Sequence, residues 1–523
     1  MAELVMNLLR VSDNVVWTAV VLLPFFYCLV LTSSLLLHPL RDFPGPVVAA
    51  LSDWYGAFYA VKRNLHLITL RDHQRYGPMV RQGPNKLVFN TATAFRDIYY
   101  NEAVTKSHSY LVGDASLKDK TIFCAIDPDV HRTKRKLIGQ VISDRAMRNF
   151  EPIMLQQIEI FLQELRRSCH DSRDPEPVNM HRLCQYLGMD IVGLLSFGYE
   201  FHLQTNEKNR FLLKSIEYMS WHANVLIQMP VLSWLFTEVW LNLFLFRIQI
   251  KSYRLLQTII KERLALEKEA RFDLYSSLAG SDKLEVNDIW SEATFFLQAG
   301  HGDTTATCLS AAFFYLSRNS TSYGTLAKEI RSAFADASDI RAGPTLASCH
   351  YLRACIDETL RLSPPAPGTL WREQNMNDAK DHLLIDGHVI PKGTAIGINI
   401  YALHHNEKYF PDPFIFKPER WLDSKGTPIH HDGFAAFLAG PRGCAGKAMA
   451  YLEISLVLAK TIWHFDFQPT DGPHGRIGAA GHGHGRNRVN EYQLYDIFTA
   501  TCDGPYLTFN SCFDKFKNLG DDE

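Results

Sequence analysis

The segment that most restricts how this chain can fold is Phe437-Leu438-Ala439-Gly440-Pro441-Arg442-Gly443-Cys444-Ala445-Gly446, which stands directly before an apolar run reaching His464. Three glycines at this spacing allow a tight turn whose backbone can approach a flat ligand closely. The helix expected after Cys444 places the thiol near a helix N-terminus, where the dipole and free N–H groups favour the thiolate. Arg442, two residues away, is a fixed cation suited to a carboxylate. Phe437 is placed to shield the sulfur from solvent. For a lone cysteine, a buried thiol after a glycine-rich turn is the usual reading, so the rest of the chain has to decide.

With 523 residues and no interior stretch resembling a flexible linker, the chain is expected to form one large unit. The net charge of −2 argues against a nucleic-acid binder, which normally carries a basic excess. The ten cysteines contain no C-x-x-C pair, a pattern that suits a reducing compartment better than a disulfide framework. After an N-terminal tail (1–14), residues 15–37 carry no charge and are long enough to cross a bilayer. Arg10 is offset by Glu3 and Asp13, so a retained single-pass anchor is expected rather than a cleaved signal peptide. Lys62, Arg63 and Arg71 beyond it favour a cytosolic body. Residues 38–48, with Pro39, Pro44 and Pro46, form a stiff connector, and 49–523 the folded domain.

Within that domain, Met79 to Asn90 predicts a β-hairpin with Gly83-Pro84-Asn85 at its turn. Helical periodicity follows near Phe150–Arg166, Met180–Leu195, Arg247–Leu266, Asn287–Ser317 and Tyr351–Arg361. His382 to Ile400 alternates as short strands with turns at Asp386-Gly387 and Pro391-Lys392-Gly393. The fold class expected is therefore mainly α with a smaller β part. Trp221 to Phe246 is strongly apolar, but Pro230 and Glu238 favour a core or membrane-dipping helix pair over a second spanning helix. Gly472 to Gly485 is rich in glycine and histidine (His474, His482, His484) and reads as a surface loop rather than a metal site.

The complete pattern F-x-x-G-x-R-x-C-x-G closely resembles the cysteine-ligand loop of the cytochrome P-450 family, and the resemblance covers nearly the whole chain after the anchor. Glu358-Thr359-Leu360-Arg361 resembles the family's E-x-x-R; at i and i+3 its two side chains share a helix face. Phe416-Lys417-Pro418-Glu419-Arg420-Trp421 is similar to its P-E-R-F/W element. The resemblance implies a structural network of Glu358, Arg361 and Arg420 around the cysteine loop.

Asn287–Ser317 resembles the long helix over the haem in this family. Its Gly300-His301-Gly302-Asp303-Thr304-Thr305 departs from the family pattern at His301. Such small and hydroxyl residues weaken helix hydrogen bonding locally. The resemblance implies Asp303 and Thr304 as the catalytic proton-relay pair. His131-Arg132-Thr133-Lys134-Arg135 is similar to the W-x-x-x-R helix, with His131 replacing Trp. Together with Arg372 it implies a cofactor-binding set of Phe437, Gly440, Arg442, Gly446, His131, Arg135 and Arg372, with Cys444 as the metal ligand. Arg132, Lys134 and Lys136 are expected to face outward, as a solvated face or a docking patch for an electron donor.

What the resemblance implies is a haem-thiolate monooxygenase holding haem b by an axial Cys thiolate and using O2. Electrons would come from NADPH through a partner flavoprotein reductase, because only a short tail follows the cysteine helix. Arg75-Tyr76-Gly77-Pro78, Val80 to Asn85 and Tyr492-Gln493-Leu494 resemble filamentous-fungal members, many of which act in secondary metabolism. The expectation is oxidation of a lipophilic small molecule by a monomeric enzyme on the endoplasmic reticulum membrane, facing the cytosol. The Asn319-Ser320-Thr321 sequon would then go unused. The alternative is a haem-thiolate isomerase or dehydratase needing no external electrons, against which Asp303-Thr304 argues; a non-enzymatic haem sensor fits less well. Substrate choice is expected in four regions, Thr105–Phe123, Leu212–Leu235, Ala366–Leu370 and Ala500–Tyr506.

Overall fold

A computed structural model describes residues 22, 29, 32–111, 121–169, 176–235, 237–267, 273, 286–300, 303–376, 378, 382–479 and 486–512. Sixteen α-helices occur among them. These are α1 (Val47–Leu51), α2 (Trp54–Val61), α3 (Leu65–Tyr76), α4 (Ala92–Tyr99), α5 (Pro128–Val141), α6 (Asp144–Ser168), α7 (Met180–Phe197) and α8 (Phe211–Gln228). They continue with α9 (Thr237–Leu264), α10 (Val286–Gly300), α11 (Asp303–Arg318), α12 (Ser320–Ala333), α13 (Pro344–Ala347), α14 (His350–Leu362), α15 (Ile400–His404) and α16 (Lys447–His464). Local chemistry sets several of the starts. Asp127 accepts hydrogen bonds from the Asp129 and Val130 amides with Pro128 in the first helical position, and Asn179 accepts from the Arg182 amide at the head of α7.

Twelve short strands form the β part among the described residues. The largest sheet has the order β1-β2-β8-β5-β3, from Met79–Gly83, Lys86–Phe89, Ala395–Ile398, Arg372–Gln374 and Val104–Lys106. The expected hairpin is its β1–β2 edge, paired Met79 to Phe89 and Val80 to Val88. The turn expected at Asp386-Gly387 joins β6 (His382–Ile385) to β7 (His388–Pro391), with both residues at positive φ. β4 (Val178–Asn179), β12 (Tyr506–Ser511) and β9 (Phe465–Pro469) make a second sheet, and β10 (Tyr495–Ile497) pairs with β11 (Thr499–Thr501) in a hairpin whose tip is Phe498.

The main core is built round α11, whose Phe313, Phe314 and Tyr315 are buried with Leu187 and Ile191 of α7, Ile356 of α14 and Val457 of α16. A cysteine loop before α16 is thus held against the most deeply packed part of the molecule. The helix expected over 287–317 is described as two runs, α10 and α11; His301 and Gly302 lie outside the described residues. The apolar stretch 221–246 does not form one long helix. α8 ends at Gln228, a short 3₁₀ segment covers Pro230–Leu235, and α9 begins at Thr237. Pro230 lacks the amide a continuing helix needs, so the helix-pair reading fits. No helix among the described residues is long and apolar enough to cross a membrane. Residues 15–37, expected as an anchor, lie mostly outside the described residues, as do 480–485 of the glycine–histidine loop.

Candidate active site

Cys444 sits on a loop folded back on itself. Its amide donates to the Phe437 carbonyl at 2.8 Å, and the Gly443 amide donates to the Gly440 carbonyl at 3.0 Å. Gly440 has φ +68°, and a Cβ there would lie 2.1 Å from the Tyr99 carbonyl oxygen, so only glycine lets the loop rest on the end of α4. Phe437 packs on Tyr451 of α16 at 5.0 Å between ring centres.

The thiol environment is unusual among the cysteines. Seven of the nine described are buried and Cys169 is partly buried, whereas Cys444 is accessible. Protein nonetheless surrounds it closely enough that burial raises its pKa, against the Gly446 amide, Arg135 and Lys447, which favour the thiolate. Its side chain is thus reachable from outside while protein atoms lie close enough to disfavour the charged form. The 750 Å³ surface cleft lined by Ile153, Phe197, His202 and Arg263 shares no residue with this loop.

Five cationic or basic side chains converge beside the loop. His131 is buried and its pKa is lowered to about 3, by burial first and then by Arg442, Lys106, Arg135 and Arg372. Arg442 donates to the carbonyls of Ala125 (2.6 Å) and Ile126 (2.7 Å), and its pKa falls to about 10 through burial and Arg372. Arg135 donates to the Gly443 carbonyl at 2.6 Å, which ties α5 to the cysteine loop. Arg372 is buried in β5 with its guanidinium 5.0 Å from the centre of the Tyr99 ring. Cations this close repel unless an anion joins them. A haem offers an iron for a sulfur ligand and two carboxylates for cations, and the residues present fit that group: Cys444 as the sulfur, with Arg135, Arg372 and Arg442 to meet the carboxylates.

The motif residues on the other side are arranged differently from one another. Asp303 opens α11 and is buried; its Oδ1 accepts a hydrogen bond from Gln185 of α7 at 2.8 Å. Gln185 in turn accepts from Arg182, which pairs with Glu217 at 3.0 Å. Thr304 is only partly buried, and Ala299 one turn earlier is accessible. The two candidate relay residues therefore bracket a boundary between protein interior and open space. Four rings enclose part of the region: Phe123 stacks on Phe295 of α10 (5.4 Å) and meets Phe498 (5.2 Å) and Tyr110 (5.3 Å) edge-on.

The network of Glu358, Arg361 and Arg420 is present and buried. Arg361 holds Glu358 through two bonds of 2.8 and 2.9 Å, and Arg420 donates to Glu358 Oε1 at 3.0 Å. Trp421 Nε1 adds a fourth contact to Glu358 Oε2 at 2.9 Å.

Sequence reasoning missed or misplaced several residues. Lys134 does not face outward: it is buried and pairs with Glu292 of α10 at 3.0 Å, because helical spacing turns it to the side of α5 that meets α10. Arg132 and Lys136 are exposed as expected. Lys106 and Gln185 carry no pattern that sequence could flag. Phe498 falls just before the region expected from Ala500, and only its place at a hairpin tip brings it to the aromatic group.

A family model described as Cytochrome P450 matches residues 45–477. Among curated proteins, the cytochrome P450 monooxygenase AKT7 of Alternaria alternata is 35% identical over 90% of this chain and 93% of its own length. The cytochrome P450 monooxygenase apf7 of Gibberella fujikuroi is 32% identical over 91% of this chain and 94% of its own. That of Penicillium oxalicum, poxM, is 34% identical over 91% of each.

Proposed function

Since the chain belongs to the cytochrome P450 family of haem-thiolate monooxygenases, we propose that it hydroxylates a lipophilic small molecule, an intermediate of fungal secondary metabolism. The observation that carries this reading is Cys444 with a cluster of basic side chains beside its loop, Arg372 buried and Arg135 and Arg442 half-buried. Haem bound there supplies the oxygen-activating redox chemistry, with electrons delivered from NADPH by a flavoprotein reductase.

The chain's own residues have separable tasks. Cys444 gives the sulfur ligand, and the Gly446 amide with Arg135 and Lys447 supports its negative charge. Arg135, Arg372 and Arg442 hold the cofactor's carboxylates and fix its orientation. The Thr304 hydroxyl presents a proton to the open side of α11, and the Asp303 carboxyl beside it is the group that would resupply that hydroxyl from solvent, held in place by the Gln185 amide, which Arg182 and Glu217 anchor in turn. Phe123, Phe295 and Phe498 exclude water and favour an apolar substrate.

The body is assigned to the cytosolic face of the endoplasmic reticulum membrane. Support comes from the uncharged stretch 15–37 and from exposed Val47, Val48, Trp54, Phe58 and Val61, which present apolar surface next to Lys62 and Arg63.

The decisive experiment is the carbon monoxide difference spectrum of the reduced protein. Wild type is expected to show the thiolate-type band, and Cys444→Ala to lose it; a normal band in the variant overturns the ligand assignment. Substrate turnover that requires NADPH and reductase separates a monooxygenase from an isomerase or dehydratase, which needs neither.

A further inference from the structure

The hairpin of β10 and β11 turns at a single residue, Phe498, which has φ +89° without being a glycine. Such a conformation is strained and persists only where the surroundings over-determine it. What holds it here is Asp496, two residues earlier, whose Oδ1 accepts from the Phe498 amide at 3.1 Å. The same oxygen accepts from Asn224 Nδ2 of α8 at 3.1 Å. Asp496 is 1% exposed and Asn224 4%. The Asp496 amide donates to the Arg63 carbonyl at 2.9 Å, which Arg486 also reaches, at 3.4 Å. His66 of α3 brings Nδ1 within 3.9 Å of Asp496 Oδ2, and a Cβ at Gly368 would lie 3.3 Å from the same oxygen. Burial raises the Asp496 carboxyl to about 6, opposed by the Phe498 amide, Asn224, the His66 amide and Arg486.

A buried carboxylate is costly unless it is hydrogen-bonded, so its partners are tied to it and through it to one another. Phe498 in turn sets its ring edge-on to Phe123, 5.2 Å between centres, and 6.3 Å from that of Tyr110. One carboxylate oxygen thus joins α8 to the hairpin tip that completes the aromatic group. We propose that Asp496 is a positioning residue for the oxidation: it fixes the Phe498 ring by holding that residue's amide, and through Asn224 it makes the ring follow α8, so that Asp496 and Asn224 together set how tightly the site grips an aryl ligand. The inference rests on the haem-binding reading above. It names a residue outside the four regions where the sequence places substrate choice, and one that acts only through Phe498. The competing role is purely structural, Asp496 closing the junction of α3, α8 and β10 with nothing passed to the ring. Under that role its removal would have the same effect whether or not residue 498 carries a ring.

The test uses the haem protein and two iron ligands read by the shift of the Soret band: imidazole, which carries no aryl group, and clotrimazole, whose imidazole carries aryl rings. Phe498→Ala and Asp496→Ala are each expected to weaken clotrimazole about tenfold, the scale of one lost aromatic contact, and to leave imidazole affinity as in wild type. Asp496→Ala in a Phe498→Ala background is expected to add nothing, because a residue that acts through the ring has no effect once the ring is gone. Asp496→Asn, which keeps an acceptor oxygen for the Phe498 amide, is expected to restore most of the affinity. Asn224→Leu is expected to weaken clotrimazole about threefold, again only while the Phe498 ring is present. Should Asp496→Ala fail to hold haem, Asn224→Leu with and without Phe498→Ala carries the same comparison. Equal clotrimazole affinity in wild type and Asp496→Ala overturns the proposal, as does an additive loss in the double variant. A wild type without the carbon monoxide band overturns the haem-binding reading itself, a result distinct from variants that hold haem and bind both ligands as wild type does.

Discussion

Gly440 and Gly446 flank Cys444, four residues before it and two after, and the fold makes different demands on them. Gly440 needs a positive φ and leaves no room for a Cβ under the Tyr99 carbonyl, whereas a Cβ at Gly446 meets nothing within 4 Å. Gly440→Ala is expected to cost more than about 3 kcal/mol and to abolish the holoprotein. Gly446→Ala, at the N-cap of α16, is expected to cost within about 1 kcal/mol and to keep the carbon monoxide band. Comparing haem content and thermal unfolding of the two variants checks this; equal losses would contradict it. The motif marks both glycines alike, and only the contact with α4 tells them apart. A second residue argument concerns Glu453 of α16. It is buried, its Oε1 has no hydrogen-bond partner among the described residues, and burial raises its carboxyl pKa to about 8. From the ordinary value of 4.5 up to about 8, the folded protein keeps a proton that the unfolded chain has released, so stability falls as pH rises through that window. Glu453→Gln removes this dependence. Its stability advantage over wild type is expected to shrink by about 1.4 kcal/mol for each unit the pH is lowered from 8. Denaturant unfolding at pH 6, 7 and 8 measures the slope, and a constant difference would contradict the assignment.

At the scale of elements, Glu358 is the junction between α14 and the 3₁₀ turn Pro418–Trp421. It accepts from Arg361, Arg420, Trp421 Nε1 and the Lys417 amide, all at 3.0 Å or less. Glu358→Ala strands two buried guanidiniums, and a loss of about 3–5 kcal/mol follows. Trp421→Phe removes one charge-assisted bond of the same set and is expected to cost about 1.5–3 kcal/mol. The ordering of the two variants in chemical denaturation is the check; a Trp421 variant as unstable as the Glu358 one would mean that packing rather than the bond dominates. The pairing was legible in sequence because Glu358 and Arg361 lie at i and i+3 and Arg420 belongs to a recognisable element. Lys134 was not legible. Its neighbours Arg132 and Lys136 are exposed, and composition alone gives no reason for one lysine of a basic run to turn inward. The reason is Glu292, 158 positions away in sequence, whose carboxylate also accepts from the Ile122 amide at 2.9 Å and so couples α5, α10 and the segment before α5.

For the whole molecule, the helices expected over 150–166, 180–195, 247–266, 351–361 and after Cys444, and the β1–β2 hairpin, followed from periodicity and turn residues, since each depends on nearby sequence. Strand order, the inward cations and the aromatic group depend on partners far along the chain and emerge only once the sheet register and helix packing are known. The same holds for the surface. Trp54, Phe58 and Val61 at i, i+4 and i+7 form one stripe on α2, exposed by 49, 39 and 44%, and Val47 and Val48 on α1 are 59 and 58% exposed. α2 packs against α8, where Trp221 Nε1 donates to the Val61 carbonyl at 3.2 Å and Met219 is also exposed. Large apolar side chains grouped this way mark a surface that contacts something apolar, and Lys62 and Arg63 beside them suit anionic headgroups. The membrane reading then makes a prediction that does not involve the N-terminal anchor. A protein lacking residues 1–38 is expected to keep co-floating with phosphatidylcholine–phosphatidylserine vesicles, more weakly than the full chain. In that shortened protein, Trp54→Asp with Phe58→Asp withdraws two ring side chains worth about 1.5 kcal/mol each on burial, so vesicle affinity should fall about a hundredfold. Lys62→Gln with Arg63→Gln should cost about tenfold, and only where phosphatidylserine is present. If the shortened protein no longer binds vesicles, the α1–α2 face contributes nothing and the anchor alone carries the attachment; if the Asp variant binds as before, the stripe is not the contact. Retention of binding with loss on the Asp substitutions would place the apolar face of α2 in the lipid.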